Sequence, residues 1–296
     1  MTTTSYPYTR YLAAKKSVDD RAINRHVLAE LRRLMPAGEP RILEVGAGLG
    51  TMVARLLDWR VICAGEYTVL DVDRQLLRDC REWLAAWATD RGLVVEQLPD
   101  GVRVGEVRVR LVEAEIADYA GAGRGGPADV LIANAVLDLV DVPTVLPALL
   151  RLLAPGGLYW FTINYDGETI FQPEHPLDRE IMRAYHNDMD ERVRYERPAG
   201  ESRTGRHLFG HLRAAGAPAL AAGPSDWIVQ AGPDGTYPHD EGYFVDRIVQ
   251  TIQDALEGHV NAADLAEWAA ARRRQLASGE LVYIAHQLDF AGRWPA

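Results

Sequence analysis

Three glycines at alternate positions, Gly46, Gly48 and Gly50, follow the apolar run 42–45 in the stretch RILEVGAGLGT, and Glu44 stands two residues before the first of them. Glycine accepts the left-handed backbone and lets a ligand come close to the chain. A strand that enters such a turn and leaves it as a helix is a docking place for nucleotide-type ligands. The dinucleotide pattern G-x-G-x-x-G needs glycine at position 51, where this chain has Thr51. A carboxylate just before the turn is unfavourable for a pyrophosphate and suits a ligand with a positive amino group. Asp71 follows the glycines by about 20 residues, where a carboxylate can accept from both hydroxyls of a ribose. Asp73, two residues further, fits the cap of the next helix.

A second group lies in LDREIMRAYHNDMDERV. Leu177, Ile181, Met182, Tyr185, Met189 and Val193 form a stripe at helical spacing, and His186 sits at its edge. Asp190 is one turn on, near enough by spacing to orient the imidazole. An imidazole can accept a proton near neutrality, so His186 is the first candidate base. Tyr165, just before Asp166 and Glu168, is the second catalytic candidate. Met182, Tyr185 and Met189, with His175, His239 and Tyr243 from neighbouring segments, are candidate substrate contacts. The plainer reading packs the stripe's apolar residues on a sheet. His207 and His211 have the i, i+4 spacing of metal ligands. No H-E-x-x-H acid or third ligand accompanies them, so no metal is expected.

The elements that must position these residues alternate in type. One helix is expected from about Val18 to Met35. RILEVG, YTVLDV, VRVRLVEAEI, ADVLIANAVL and LYWFTINY read as strands. TMVARLLDW, RQLLRDCREWLAAWATDRG and VPTVLPALLRLLA read as helices between them. LVVEQLPDGVRVG reads as a hairpin turning at Asp100-Gly101. Strands alternating with helices argue for a doubly wound parallel sheet. After Tyr165 the rhythm changes. DGETIFQPEHP reads as a polar loop, followed by the His186 helix, a helix within 200–215, a short strand SDWIVQ, two more helices and a final strand ELVYIAHQLDF. The added helices would cap the carboxyl edge of the sheet, where open α/β sheets bind ligands. GAGRGG at 121–126 is equally rich in glycine but has no helix behind it, and reads as a surface loop.

As a set, these motifs resemble class I S-adenosylmethionine-dependent methyltransferases. LEVGAGLGT is similar to their first motif, VLDVDRQLL to the second, ADVLIANAVL to the fourth-strand motif, and LLAPGGLYWF to the fifth strand with the helix end before it. Together they cover roughly residues 40 to 165. The resemblance implies an α/β, Rossmann-like seven-stranded sheet whose last strand is antiparallel, a place ELVYIAHQLDF would take. It implies S-adenosyl-L-methionine as cofactor. Glu44, Gly46 and Gly48 would surround its methionine part and Asp71 its ribose. Glu115 and Ile116 would meet the adenine, although the family has Asp where this chain has Glu115. Asn134 and Ala135 would face the sulfonium end. Tyr11, Lys15 or Arg21 of the N-terminal segment could fold over the cofactor's carboxylate, or simply form a solvated helix start. The expected organisation is an N-terminal helical lid (1–38), a cofactor-binding core (39–166), a cap insertion (167–203), the rest of the core (204–233), a second helical cap (234–279) and the terminal core strand (280–296).

Composition bounds the partners. The chain has 296 residues, 48% hydrophobic and 25% charged, with a formal net charge of −10. Such a surface repels nucleic acid. The densest basic run, ARRRQL at 271–276, reads as the solvated face of a helix. No stretch is long and uncharged enough to span a bilayer. Cys63 and Cys80 are too few for a disulfide scaffold, which makes a reduced, cytoplasmic protein the default. IANAVL lacks the Asn/Asp-Pro-Pro-Tyr/Phe sequence used on DNA and protein amides. A small organic acceptor with an aromatic or apolar portion, such as an indole or phenol from secondary metabolism, is the expectation, and a homodimer is compatible with it. The competing readings are an NAD(P)-dependent oxidoreductase and a non-catalytic binding protein. The first lacks glycine at position 51 and a Tyr-x-x-x-Lys pair; the second disagrees with intact Glu44, Gly46, Gly48 and Asp71.

Overall fold

The structure, a computed structural model, describes residues 8–122, 126–194 and 197–295. Two helices, α1 (Tyr8–Ala22) and α2 (Arg25–Leu34), precede β1 (Arg41–Val45), α3 (Thr51–Asp58), β2 (Ala64–Asp71) and α4 (Arg74–Asp90). A hairpin of β3 (Val95–Leu98) and β4 (Gly101–Val104) leads to β5 (Glu106–Glu113), α5 (Ile116–Gly121), β6 (Ala128–Asn134), α6 (Val142–Leu150) and the long β7 (Leu153–Gln172). Then come α7 (Asp178–Glu191), the small pair β8 (Val193–Arg194) and β9 (Arg197–Pro198), α8 (Thr204–Ala214), β10 (Ala219–Pro224) and β11 (Trp227–Val229). The chain closes with α9 (Glu241–Leu256), α10 (Ala262–Ser278) and β12 (Val282–Arg293).

Among the described residues the large sheet runs β10-β12-β7-β6-β1-β2-β5-β4-β3, with β11 paired to β12 off this path. Strands β5, β2, β1, β6 and β7 are mutually parallel, whereas β12 is antiparallel to β7, β10 and β11. This is the doubly wound sheet with an antiparallel last strand that the motifs imply, but with ten strands among the described residues rather than seven, because the β3-β4 hairpin and the short β11 extend it. Its order reverses at β1, between β2 and β6, so the crevice for a ligand opens over the ends of β1 and β6.

Side-chain alternation assigns the helices to two faces. Ile42, Val130 and Ile132 join one apolar cluster with α1 to α4, α7, α9 and α10. Leu43, Val45, Leu131 and Ala133 join the other with α5, α6 and α8. Glu44 is in phase with Ile42 and turns to the first face.

In β7 the alternation changes phase. Leu158 and Trp160 belong to the first face and Tyr159 and Phe161 to the second, yet Ile163 and Tyr165 belong to the first. The change coincides with a bulge. Asn164 pairs with Leu288 and Phe161 with Phe290, which leaves Thr162 and Ile163 opposite Asp289 alone. Ile163 has φ 58, a left-handed backbone costly for a β-branched residue. Its N–H donates to Asp289 Oδ1 at 2.7 Å, and Asp289 Oδ2 accepts from the N–H of Asn24 at 2.8 Å.

Several sequence expectations change. The single N-terminal helix is two, because Asn24 caps α2 by accepting from the N–H groups of His26 and Val27. The hairpin is present, with its turn at Pro99-Asp100 and Gly101 already in β4. The loop expected after Tyr165 is instead the end of β7, paired with β12 as far as Gln172. Strand β10 was not anticipated. The basic run 271–276 is not a solvated face throughout: Arg272 is fully buried and donates to the Pro173 carbonyl and to Asp178, clamping α10 to the segment before α7. The 121–126 loop falls partly outside the described residues.

Candidate functional site

The glycine turn is built from backbone that other residues resist. Gly46, Gly48 and Gly50 all have positive φ, at 61, 53 and 69. A Cβ at Gly46 would overlap Val136, and one at Gly50 would lie 2.7 Å from Cys80 Sγ. Helix α3 starts directly after Gly50. Asp71, at the end of β2, accepts from the N–H of Gly48 at 2.8 Å through Oδ2 and from that of Asp73 at 2.9 Å through Oδ1. Each oxygen keeps a lone pair for a ligand hydroxyl. Asp73 caps α4, accepting from Gln75 and Leu76, as its position in the sequence suggests.

Glu44 is buried under the turn and accepts from the Tyr67 hydroxyl at 2.8 Å. Burial pushes its carboxyl up to about 8; the Tyr67 hydrogen bond and the charge of Arg55 pull the other way. A buried carboxyl with a raised pKa is an acid held ready for a cation. The residues therefore fit the cofactor implied by the motifs: a carboxyl for its ammonium, glycine backbone for close approach, and Asp71 for the ribose.

Helix α1 lies across the turn. Leu12 Cδ1 is 3.0 Å from where a Cβ on Gly48 would stand. A buried network holds the helix down. Arg55 of α3 donates to Asp20 at 2.5 Å and Asp19 at 3.2 Å, and Asp19 also accepts from Lys15 Nζ and Trp227 Nε1. Arg21 pairs with the fully buried Glu241 of α9. Lys15 and Arg21 are thus engaged in ion pairs, and Tyr11 stacks between Tyr8 and Phe244. The contact made with the glycine turn by α1 is the apolar Leu12.

Tyr165 and His186 meet. The hydroxyl of Tyr165 lies 2.6 Å from His186 Nε2 and 2.9 Å from Thr169 Oγ1. They meet because the β7 bulge turns Tyr165 to the α7 face. Burial lowers the His186 pKa, which keeps the ring neutral at pH 7, and burial raises that of Tyr165. The geometry suits a proton passing from the phenol oxygen to Nε2. Asp190 does not orient the imidazole as its spacing suggests; both its oxygens accept from Ser202. Ser202, in the turn before α8, holds the short side chain instead.

The sequence reading missed Asp138. It lies in the 3-10 turn Leu137–Leu139, four residues beyond Asn134 at the end of β6. Its Oδ1 has no solvent contact and no hydrogen-bond partner among the described residues. Burial pushes its pKa up to about 6, against the pull of Lys15 and Arg192. An acid just past the strand at the switch point was the available signal.

Other candidates lie elsewhere. Met182 and Met189 are buried in the first-face core, with Tyr185 packed against it. His175 accepts from the Leu177 N–H, and its own N–H donates to Asp178, so it shapes the entry to α7. His239 is exposed in the turn before α9. Tyr243 lies under Arg10, whose guanidinium is 3.9 Å from the ring centroid. Glu115 caps α5, its Oε2 accepting from the N–H groups of Ala117 and Asp118, and Ile116 begins that helix. Asn134 Oδ1 accepts from Thr162 Oγ1 at 2.8 Å, and Ala135 has φ 55. His207 is bonded to Glu201, and no metal-binding cluster occurs among the described residues. A groove of about 770 Å³ lined by Asp141, Arg203, Arg206 and His211 lies by α6 and α8, away from the glycine turn. No helix of the described residues is long and apolar enough to cross a membrane. Cys63 and Cys80 are free thiols.

No protein-family model matches the sequence, and no curated protein matches it. Solved structures do. A SAM-dependent methyltransferase from Thiobacillus denitrificans in complex with S-adenosyl-L-homocysteine is 14% identical, with a TM-score of 0.48 over 98% of this chain and 99% of that one. One from Geobacter sulfurreducens, also with S-adenosyl-L-homocysteine, is 16% identical with a TM-score of 0.44, over 98% and 99%. A putative methyltransferase from Haloferax volcanii, in complex with the Trm112 activator, is 12% identical with a TM-score of 0.49, over 98% and 96%.

Proposed function

We propose that this protein binds S-adenosyl-L-methionine in the glycine turn and transfers its methyl group to a small organic acceptor held beneath α7. The observation that carries the reading is the turn itself: three left-handed glycines between β1 and α3, with buried Glu44 on one side and Asp71 on the other. The departure from dinucleotide spacing at Thr51 turns the choice away from a nicotinamide.

The cofactor supplies an electrophilic methyl on a sulfonium. Everything else falls to this chain. Glu44 and the turn fix one end of the ligand and Asp71 the ribose. Helix α1 covers the turn and excludes water. Displacement at the methyl must be in line, so positioning contributes much of the rate. If the acceptor is protonated, its proton passes to the Tyr165 oxygen while the Tyr165 proton passes to His186 Nε2. A neutral imidazole at pH 7 is the form that can receive it.

Calorimetric titration with S-adenosylmethionine, S-adenosylhomocysteine, NAD and NADP tests the cofactor. Binding of the two adenosyl compounds alone is expected; binding of a nicotinamide cofactor alone ends the reading. Mass spectrometry of the purified protein for carried-over S-adenosylhomocysteine is the faster check. Once an acceptor is known, His186→Ala should lower kcat about 100- to 10,000-fold with cofactor affinity and Tm near wild type. Near-normal turnover in the folded variant removes His186 from the mechanism.

A further inference from the structure

The methyl-transfer reading leaves unused a half-buried carboxylate, Asp138, that has one sealed oxygen. Asp138 stands in the turn after β6; its Oδ1 is sealed from solvent and makes no hydrogen bond among the described residues. A buried acceptor left without a donor is costly, so a donor is expected from outside the chain. The titratable groups that act on it electrostatically are Lys15 on α1, Tyr165 on β7, and Tyr185 with Arg192 on and just beyond α7, and the N–H of Glu201 donates to its carbonyl at 3.4 Å.

Neither cation is free to serve Asp138. Lys15 is committed to Asp19 at 2.7 Å, and Asp19 is further neutralised by Arg55. Arg192 is committed to Asp188 at 2.7 Å. His186 is neutral by burial. The surroundings of Asp138 therefore hold a negative charge without a dedicated counterion. Its place is also apt. The turn follows the strand end that borders the crevice at the switch point.

We propose that Asp138 is the acceptor-binding carboxylate and that the acceptor is a small molecule carrying an ammonium group. This rests on the methyl-transfer reading for its name as acceptor, but not for the binding itself. Such a residue sets specificity: an alcohol of the same shape would leave the carboxylate's charge uncompensated.

The test uses the full chain and phenethylammonium as probe, with 2-phenylethanol as its uncharged isostere. Each is titrated calorimetrically at pH 7.5 into protein saturated with S-adenosylhomocysteine. Wild type is expected to bind the ammonium at least tenfold more tightly than the alcohol, as a hydrogen bond to a charged group implies. Asp138→Asn should abolish that preference while leaving S-adenosylhomocysteine and S-adenosylmethionine affinities within about threefold. A wild-type titration at pH 5, where the carboxyl is protonated, should lose the preference without any substitution. Equal affinity for the two probes in wild type overturns the proposal, as does an undiminished preference in Asp138→Asn. Loss of S-adenosylmethionine binding alone in that variant also overturns it, because the carboxylate would then face the sulfonium. If S-adenosylhomocysteine does not bind wild type, yet the ammonium preference still depends on Asp138, the methyl-transfer reading fails and the site stands.

Discussion

Binding at the glycine turn should release a proton, and Glu44 is the reason. Its carboxyl is 2% exposed, with burial raising its pKa to about 8. A group with a pKa of about 8 is about nine-tenths protonated at pH 7 and about half protonated at pH 8. An ammonium placed beside it favours the ionised form. Binding of S-adenosylhomocysteine should therefore expel about 0.9 proton at pH 7 and about 0.5 at pH 8. Affinity should rise nearly tenfold between pH 6 and pH 7 and level off above about pH 8. Calorimetry in two buffers of different ionisation enthalpy counts the protons directly. Glu44→Gln should bind with no pH slope over this range and release close to none. The free protein carries the same signature in its stability. A carboxyl raised to about 8 in the folded chain, against 4.5 as its ordinary value, stabilises the fold fully below pH 4.5, and that contribution is lost as pH rises to about 8. Wild type should thus lose melting temperature over that window relative to Glu44→Gln. Binding at pH 7 with no proton released, or with the same release from Glu44→Gln, refutes the reasoning.

Asp71→Ala should weaken S-adenosylhomocysteine by about 1.5 to 3 kcal/mol in the same calorimetry, whereas Asp73→Ala should cost about 0.5 to 2 kcal/mol of stability in denaturant melts and leave affinity intact. The reverse pattern would mean that the wrong carboxylate has been assigned to the ribose. Asp289→Ala removes the acceptor for two N–H groups, the buried one of Ile163 and the part-buried one of Asn24. It should cost about 3 kcal/mol or more by chemical denaturation, and turnover per folded molecule should fall as Tyr165 loses its aim; unchanged stability would show that the bulge holds itself. Arg55→Ala leaves Asp19 and Asp20 without their partner on α3 and should cost about 3 to 5 kcal/mol. Hydrogen exchange should then speed up in α1 before the sheet, and uniform exchange across the two would argue against α1 as a separately latched lid.

Local chemistry made much of this protein legible in its sequence. Three glycines at alternate positions need no neighbours to adopt left-handed backbone, and all three do. Asp73 caps α4 because a short acid before a helix reaches the first free N–H groups. The alternation of apolar strands and amphipathic helices announced a doubly wound sheet, and the order of four motifs announced the antiparallel final strand. Where the sequence misled, a distant partner decided. Arg272 looked like surface charge until Asp178 and the Pro173 carbonyl, far away in the chain, enclosed it. Asp138 carried no local sign that its Oδ1 would be sealed from solvent by the packing of distant elements. The meeting of Tyr165 with His186 is the clearest case. Strict alternation in β7 puts Tyr165 on the face away from α7. One extra residue at Ile163, held by a carboxylate 126 positions later, reverses that phase. Period-two patterning is a property of neighbours along the chain, and a bulge is set by the strand across from it, so only the folded sheet could place the phenol beside the imidazole.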